Sequence, residues 1–159
     1  ITLRLKPGNK SRLQVDVGGN SSAEFTFNRS AFNRIVAQGA AGADALSIDE
    51  RHGVFTGSEA TSVFGDAGND LLRSGSATER LFGGTGNDTI DGKRGNDLIE
   101  GGAGSDLVVF NGSNAAEKFE FSANGTRLRF VGASTLDIAG VERFDQPIVC
   151  VVRRVLRRR

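Results

Sequence analysis

Branched apolar residues stand at Val54, Val63, Leu72, Leu81, Ile90, Ile99 and Val108, one every nine positions. Glycine and polar residues fill the intervals. Helices need apolar residues three and four apart and tolerate glycine poorly, so this pattern opposes helix. It predicts a tight turn of about six residues followed by a three-residue strand with its central side chain inward. Stacked, such units form a parallel β-solenoid with one column of branched side chains per face. The best units are GDAGNDLLR (65–73), SGSATERLF (74–82), GGTGNDTID (83–91), GKRGNDLIE (92–100) and GGAGSDLVV (101–109). The second departs from the rest, with Glu79 at the sixth position and Ala77 at the fourth. Upstream, GAAGADALS (39–47) has the same skeleton, with Asp44 sixth and Leu46 eighth, but falls out of register with the later units. The segment between keeps apolar spacing without acidic turns and reads as turns that bind nothing.

The flanks alternate as strands do. TLRLK, the turn PGNK and RLQVDV predict a hairpin, with AEFTF a third strand. Downstream, EKFEFSANGTRLRF alternates Phe119, Phe121, Leu128 and Phe130 around Asn124-Gly125, a strong hairpin signal. LDIAGVERF adds two short strands. Both flanks are expected to cap open sheet ends. The chain thus divides into N-terminal cap strands (1–38), degenerate turns (39–64), repeats (65–109), a C-terminal hairpin cap (110–146) and a basic tail (147–159). Phe64 and Phe82, two units apart, are expected as neighbours on one face.

Composition narrows the chemistry. The 159 residues fit one domain, with 22 Gly, 11 Phe and no Met, Trp or Tyr. The missing Met and the start on Ile1 suggest a piece of a longer chain. No apolar run approaches the roughly 20 residues of a spanning helix. Five arginines in RRVLRRR mask an acidic body, since without them the net charge of +1 becomes −4. We read that tail as a disordered or out-of-frame end rather than a nucleic-acid or anionic-membrane surface, so no nucleic-acid partner is expected. Cys150 is the only cysteine and His52 the only histidine, which excludes an internal disulfide and a conventional single-chain zinc site. No G-x-S-x-G or H-E-x-x-H signature occurs, and no catalytic residue is expected.

What remains is the regular acid. Stacking G-x-D turns about 4.8 Å apart aligns carboxylates in rows, and like charges at that spacing resist folding. A hard divalent cation removes the conflict, and an all-oxygen donor set selects calcium. Glycine permits the tight turn and lets carbonyls approach a metal closely. Calcium takes six to eight oxygens, so carbonyls must complete the shell. Asn69, Asn87 and Asn96, at the fifth position, are expected to brace the turns rather than bind metal.

The units resemble the glycine- and aspartate-rich repeats of RTX (hemolysin-type) calcium-binding proteins. The stretch to about residue 145 is similar, less specifically, to the segment that follows such repeats in secreted bacterial proteins. The resemblance implies an all-β, right-handed parallel β-roll in which two nonapeptides make one turn and Ca2+ sits between units 18 residues apart. Carried onto this chain, one site uses the Asp66, Gly68, Gly83 and Thr85 carbonyls with Asp70 and Asp88. A second uses the Gly84, Gly86, Gly101 and Ala103 carbonyls with Asp88 and Asp106. The opposite edge holds Glu79 and Asp97 with the Gly75, Ala77, Gly92 and Arg94 carbonyls. Glu79 is long for the turn and Ala77 resists its backbone angle, so that site is expected to be weak or unfilled. The function implied is a non-enzymatic calcium-binding module of a secreted or surface bacterial protein, ordered by calcium, with other domains of a longer chain as partners. The alternative is an accessory module of a secreted protease, lipase or polysaccharide epimerase. An ice-binding face is disfavoured, because only Thr85 offers a threonine where the other units carry Ala67, Ser76, Arg94 and Ala103.

Overall fold

The computed structural model describes residues 1–109 in full and 120–124, 127–131 and 135–139 as backbone strands. The chain opens with β1 (Thr2–Lys6), β2 (Asn9–Asp16) and β3 (Phe25–Asn28), paired antiparallel in that order. A 3-10 turn at Arg29–Ala31 leads to β4 (Arg34–Gln38) and β5 (Ala45–Asp49). Then follow β6 (Ala60–Ala67), β7 (Leu71–Arg73), β8 (Glu79–Thr85), β9 (Thr89–Asp91), β10 (Leu98–Ala103) and β11 (Leu107–Val109). The last described strands are β12 (Glu120–Asn124), β13 (Arg127–Val131) and β14 (Thr135–Ala139). That 3-10 turn is the one helical element among the described residues, and none of these is a helix able to cross a membrane.

The protein is all-β, built as two mixed seven-stranded sheets. One runs β11-β9-β7-β5-β1-β2-β3, the other β12-β13-β14-β10-β8-β6-β4. From β4 to β11 successive strands alternate between the sheets, and neighbours within each sheet are parallel. The nine-residue period explains this. Each nonamer contributes one strand, the next crosses to the other sheet, and strands 18 residues apart therefore pair: Leu72 with Ile90, Ile90 with Val108, Val63 with Leu81, Leu81 with Ile99.

The eighth-position side chains meet between the sheets. Leu72, Leu81, Ile90 and Ile99 are wholly buried, and Leu46, Ile48 and Val63 nearly so. Burying one such side chain contributes about 1.5–3 kcal/mol. Backbone ordering costs about 1–2 kcal/mol per residue, so no nonamer holds its shape alone and each depends on its stacked neighbours.

Two expectations are corrected. Val54 does not join the core: it is 56 % exposed, and Phe55 is buried in its place. The unit at 39–47, out of register along the chain, is in register in space. Leu46 pairs with Leu72 and Ala37 with Val63, both 26 residues apart, because the long excursion at 50–59 between β5 and β6 adds eight residues to the usual 18. The excursion returns the chain to its stacking position, and a linear count of nine cannot see that.

The N-terminal hairpin forms as expected and extends the first sheet through the parallel pairing of β1 with β5. At the other end β12 and β13 pair antiparallel on either side of the Asn124-Gly125 step. The neighbouring β14, also antiparallel to β13, continues the second sheet by running parallel to β10. The strand expected after β14, the tail and Cys150 lie outside the described residues. Phe64 and Phe82 stack as expected, with ring centroids 4.7 Å apart and planes within 7°.

Candidate metal centre

The turns fall on two edges. Those at 39–44, 65–70, 83–88 and 101–106 carry the chain from the second sheet to the first. Those at 74–79 and 92–97 carry it back, as does the longer excursion at 50–59.

On the first edge a single contact repeats. The N–H of Asp70 donates to Asp88 Oδ1 at 2.8 Å, and the N–H of Asp88 donates to Asp106 Oδ1 at 2.9 Å. Each carboxylate thus commits one oxygen to the turn 18 residues earlier. The other oxygen of Asp70 and of Asp88 is shut off from solvent and accepts no hydrogen bond. These residues are only 2 % and 1 % exposed. Burial pushes the Asp70 carboxyl up, with Asp88, Asp44 and Asp66 adding to the rise against the pull of the Asp44 N–H. Burial, then Asp106, does the same for Asp88.

Each free oxygen faces a main-chain oxygen across the first glycine of its own turn. A Cβ on Gly65 would meet both Asp70 Oδ2 and Gly83 O, and one on Gly83 would meet Asp88 Oδ2 and Gly101 O. The missing side chain therefore leaves a cradle lined by a carboxylate and a carbonyl from successive turns. The second and fourth positions carry further carbonyls toward the next turn: Asp66 O faces Gly84, and Gly68 O faces Gly86 so closely that any Cβ there would overlap it. Gly68 and Gly86 also sit at φ 134° and 128°, where other residues are strained. Thr85 O and Ala103 O accept the Gly68 and Gly86 N–H groups at 2.8 Å. Buried oxygen facing buried oxygen is costly unless a cation lies between. The donors are hard oxygens from two carboxylates and several carbonyls, and this set fits calcium. Among the described residues no three His, Cys, Asp or Glu side chains are placed to hold a metal ion by themselves, so carbonyls must take part.

Asparagines brace the row, as expected: Asn69 Oδ1 accepts the Asn87 N–H and Asn87 Oδ1 the Ser105 N–H, both at 2.8 Å.

The second edge differs at one position that sequence reasoning passed over. Ser74 stands where the first edge has glycine. Its Oγ lies 2.8 Å from Gly92 O, 3.0 Å from Glu79 Oε2 and 3.3 Å from Gly75 O. A hydroxyl thus occupies the place of the cradle. Glu79 and Asp97 are brought together in the interior, the Glu79 N–H donating to Asp97 Oδ1 at 2.8 Å. Burial, followed by the charge of Glu79, pushes the Asp97 carboxyl up to about 8. Ala77 stays out of the left-handed region that its counterparts Gly68 and Gly86 occupy, and its carbonyl abuts Gly95.

An all-β chain with buried oxygen cradles stacked along one edge defines a calcium-binding module. A family model for the RTX calcium-binding nonapeptide repeat (4 copies) matches residues 55–90 and again 73–108. The chain carries RTX repeats of the hemolysin type, and these repeats bind Ca2+. No curated protein and no solved structure matches the chain.

Proposed function

We propose that residues 65–109 form the calcium-binding part of a right-handed parallel β-roll whose walls are the two sheets, and that the module is set by calcium outside the cell. The first ion takes Asp70 and Asp88 with the Asp66, Gly68, Gly83 and Thr85 carbonyls. The second takes Asp88 and Asp106 with the Gly84, Gly86, Gly101 and Ala103 carbonyls. Glu79 and Asp97 hold no ion in this reading, because the Ser74 side chain fills the place of the cradle, although Glu79 Oε1 is left buried without a donor. The observation that supports this most is the pair of buried oxygens, Asp70 Oδ2 and Asp88 Oδ2, each without a donor and each facing a carbonyl of the next turn.

Calcium modules of extracellular proteins have dissociation constants of about 0.1–1 mM. Such sites fill at millimolar calcium and stay free at cytosolic levels. A ligand that binds only the folded state stabilises it by about 2.7 kcal/mol at 100 times its dissociation constant. The repeats then order on export, with the strands at 1–38 and 110–146 as caps, 39–64 as the joining turns and 147–159 as a tail of no assigned role. The module is a non-catalytic stabiliser or spacer for other domains of a longer bacterial chain.

The test is isothermal titration of calcium into chelator-treated protein, with Asp88→Ala in parallel. Because Asp88 belongs to both sites, the variant binds two ions fewer than wild type. No uptake by wild type at millimolar calcium overturns the reading.

A further inference from the structure

We propose a third calcium site between the turns at 39–44 and 65–70, the first of which lies outside the span that matches the repeat family. It rests on the reading of the repeats as calcium sites and extends it to a turn that the nine-residue count places out of phase.

The hydrogen bonds at this turn are those of the repeats. The Asp44 N–H donates to Asp70 Oδ1 at 2.8 Å, as Asp70 does to Asp88. Asp44 O accepts the Leu71 N–H at 2.8 Å, as Asp70 O accepts that of Thr89. The backbone angles also agree. Gly42 at φ 123° matches Gly68 and Gly86, and Ala40 at φ 77° matches Asp66 at 72°. Alanine disfavours that region by about 1–2 kcal/mol, so stacking, rather than local preference, holds the turn in this shape.

The oxygens converge as well. Asp44 Oδ2 is buried and accepts no hydrogen bond, the same condition as Asp70 Oδ2 in a residue only 2 % exposed. A Cβ on Gly39 would lie 2.7 Å from Gly65 O and 3.0 Å from Asp44 Oδ2, the same pairing of carbonyl and carboxylate as at Gly65 and Gly83. Among the described residues neither Asp44 nor Asp70 has a salt-bridge partner. The ligands are the Asp44 and Asp70 carboxylates and the carbonyls of Ala40, Gly42, Gly65 and Ala67. Because β5 follows this turn and pairs with β1, an ion here fastens the N-terminal hairpin to the repeats.

Equilibrium dialysis against calcium-45 at millimolar concentration tests this on the full chain. Wild type is expected to take up three ions, Asp44→Asn two and Asp88→Asn one. Gly39→Ala keeps every charge, adds a methyl group between the two oxygens and is also expected to lose one ion. Two ions on wild type, or three retained by Asp44→Asn or Gly39→Ala, overturns the third site and leaves the two repeat sites standing. No ion on wild type fails the underlying reading as well.

Discussion

Gly65 and Ser74 hold the same place in their turns and differ by one hydroxymethyl group. On the first edge glycine leaves a carboxylate and a carbonyl facing each other across a gap that a Cβ would fill. On the second the serine hydroxyl reaches Gly92 O and Glu79 Oε2 itself. The side chain fills the space an ion would take, while its single proton serves one acceptor at a time and Glu79 Oε1 stays buried without a donor. Replacing Ser74→Gly, Ala77→Gly and Glu79→Asp together restores the pattern of the first edge. This triple variant is expected to bind one calcium ion more than wild type, counted by dialysis; an unchanged count would mean that position one does not decide occupancy. The asymmetry was half legible beforehand. Glu79 and Ala77 stand out against a six-position consensus. Ser74 also breaks the glycine at position one, but only the structure shows what its hydroxyl touches.

At the scale of elements, strands as short as β7 and β9 persist because each places one side chain in a shared column. Leu81 sits in the middle of its column, wholly buried and paired with Val63 and Ile99. Leu81→Ala is expected to cost about 2–5 kcal/mol, read from the urea midpoint in excess calcium. The outward stack of Phe64 on Phe82 contributes about 0.5–1.5 kcal/mol beyond area burial, so Phe82→Ala is expected to cost less than Leu81→Ala. The inward column was readable from spacing alone over 63–108. Its failure at Val54 has a local cause. The excursion at 50–59 is held by Arg29, which donates to Glu59 at 2.7 and 2.8 Å, to Ser58 Oγ at 2.7 Å and to Phe55 O at 3.2 Å. That network turns Phe55 inward and Val54 out. It joins residues about 30 apart, a separation no periodic pattern encodes.

For the whole molecule, stacking gathers acids that repel. Asp70, Asp88 and Asp97 are all held above the ordinary carboxylate range in the folded chain, Asp97 at about 8. An acid with a raised folded pKa favours the folded state while protonated. That contribution is complete below the unfolded value near 3.8 and is lost as pH climbs through the folded value. Chelated protein should therefore melt at a lower temperature as pH rises from about 4 to about 8. Millimolar calcium is expected to flatten this slope, because the bound cation does at Asp70 and Asp88 what the proton does in its absence. Melting curves across that range, with chelator and with calcium, check both statements. A chelated protein that gains stability toward pH 8 contradicts them.

The sequence by itself determined the strand period, the inward column and the acids on the first edge, because each follows from residues repeating at fixed separation along one chain. The tertiary structure alone decided what crosses that separation. It brought the turn at 39–44 onto the row despite its different count, put Ser74 into a cradle that glycine leaves open elsewhere, and drew Phe55 inward through Arg29. The physical reason is the same in all three: these contacts depend on which turn lies above which, and stacking order is set by the folded sheets rather than by distance along the chain.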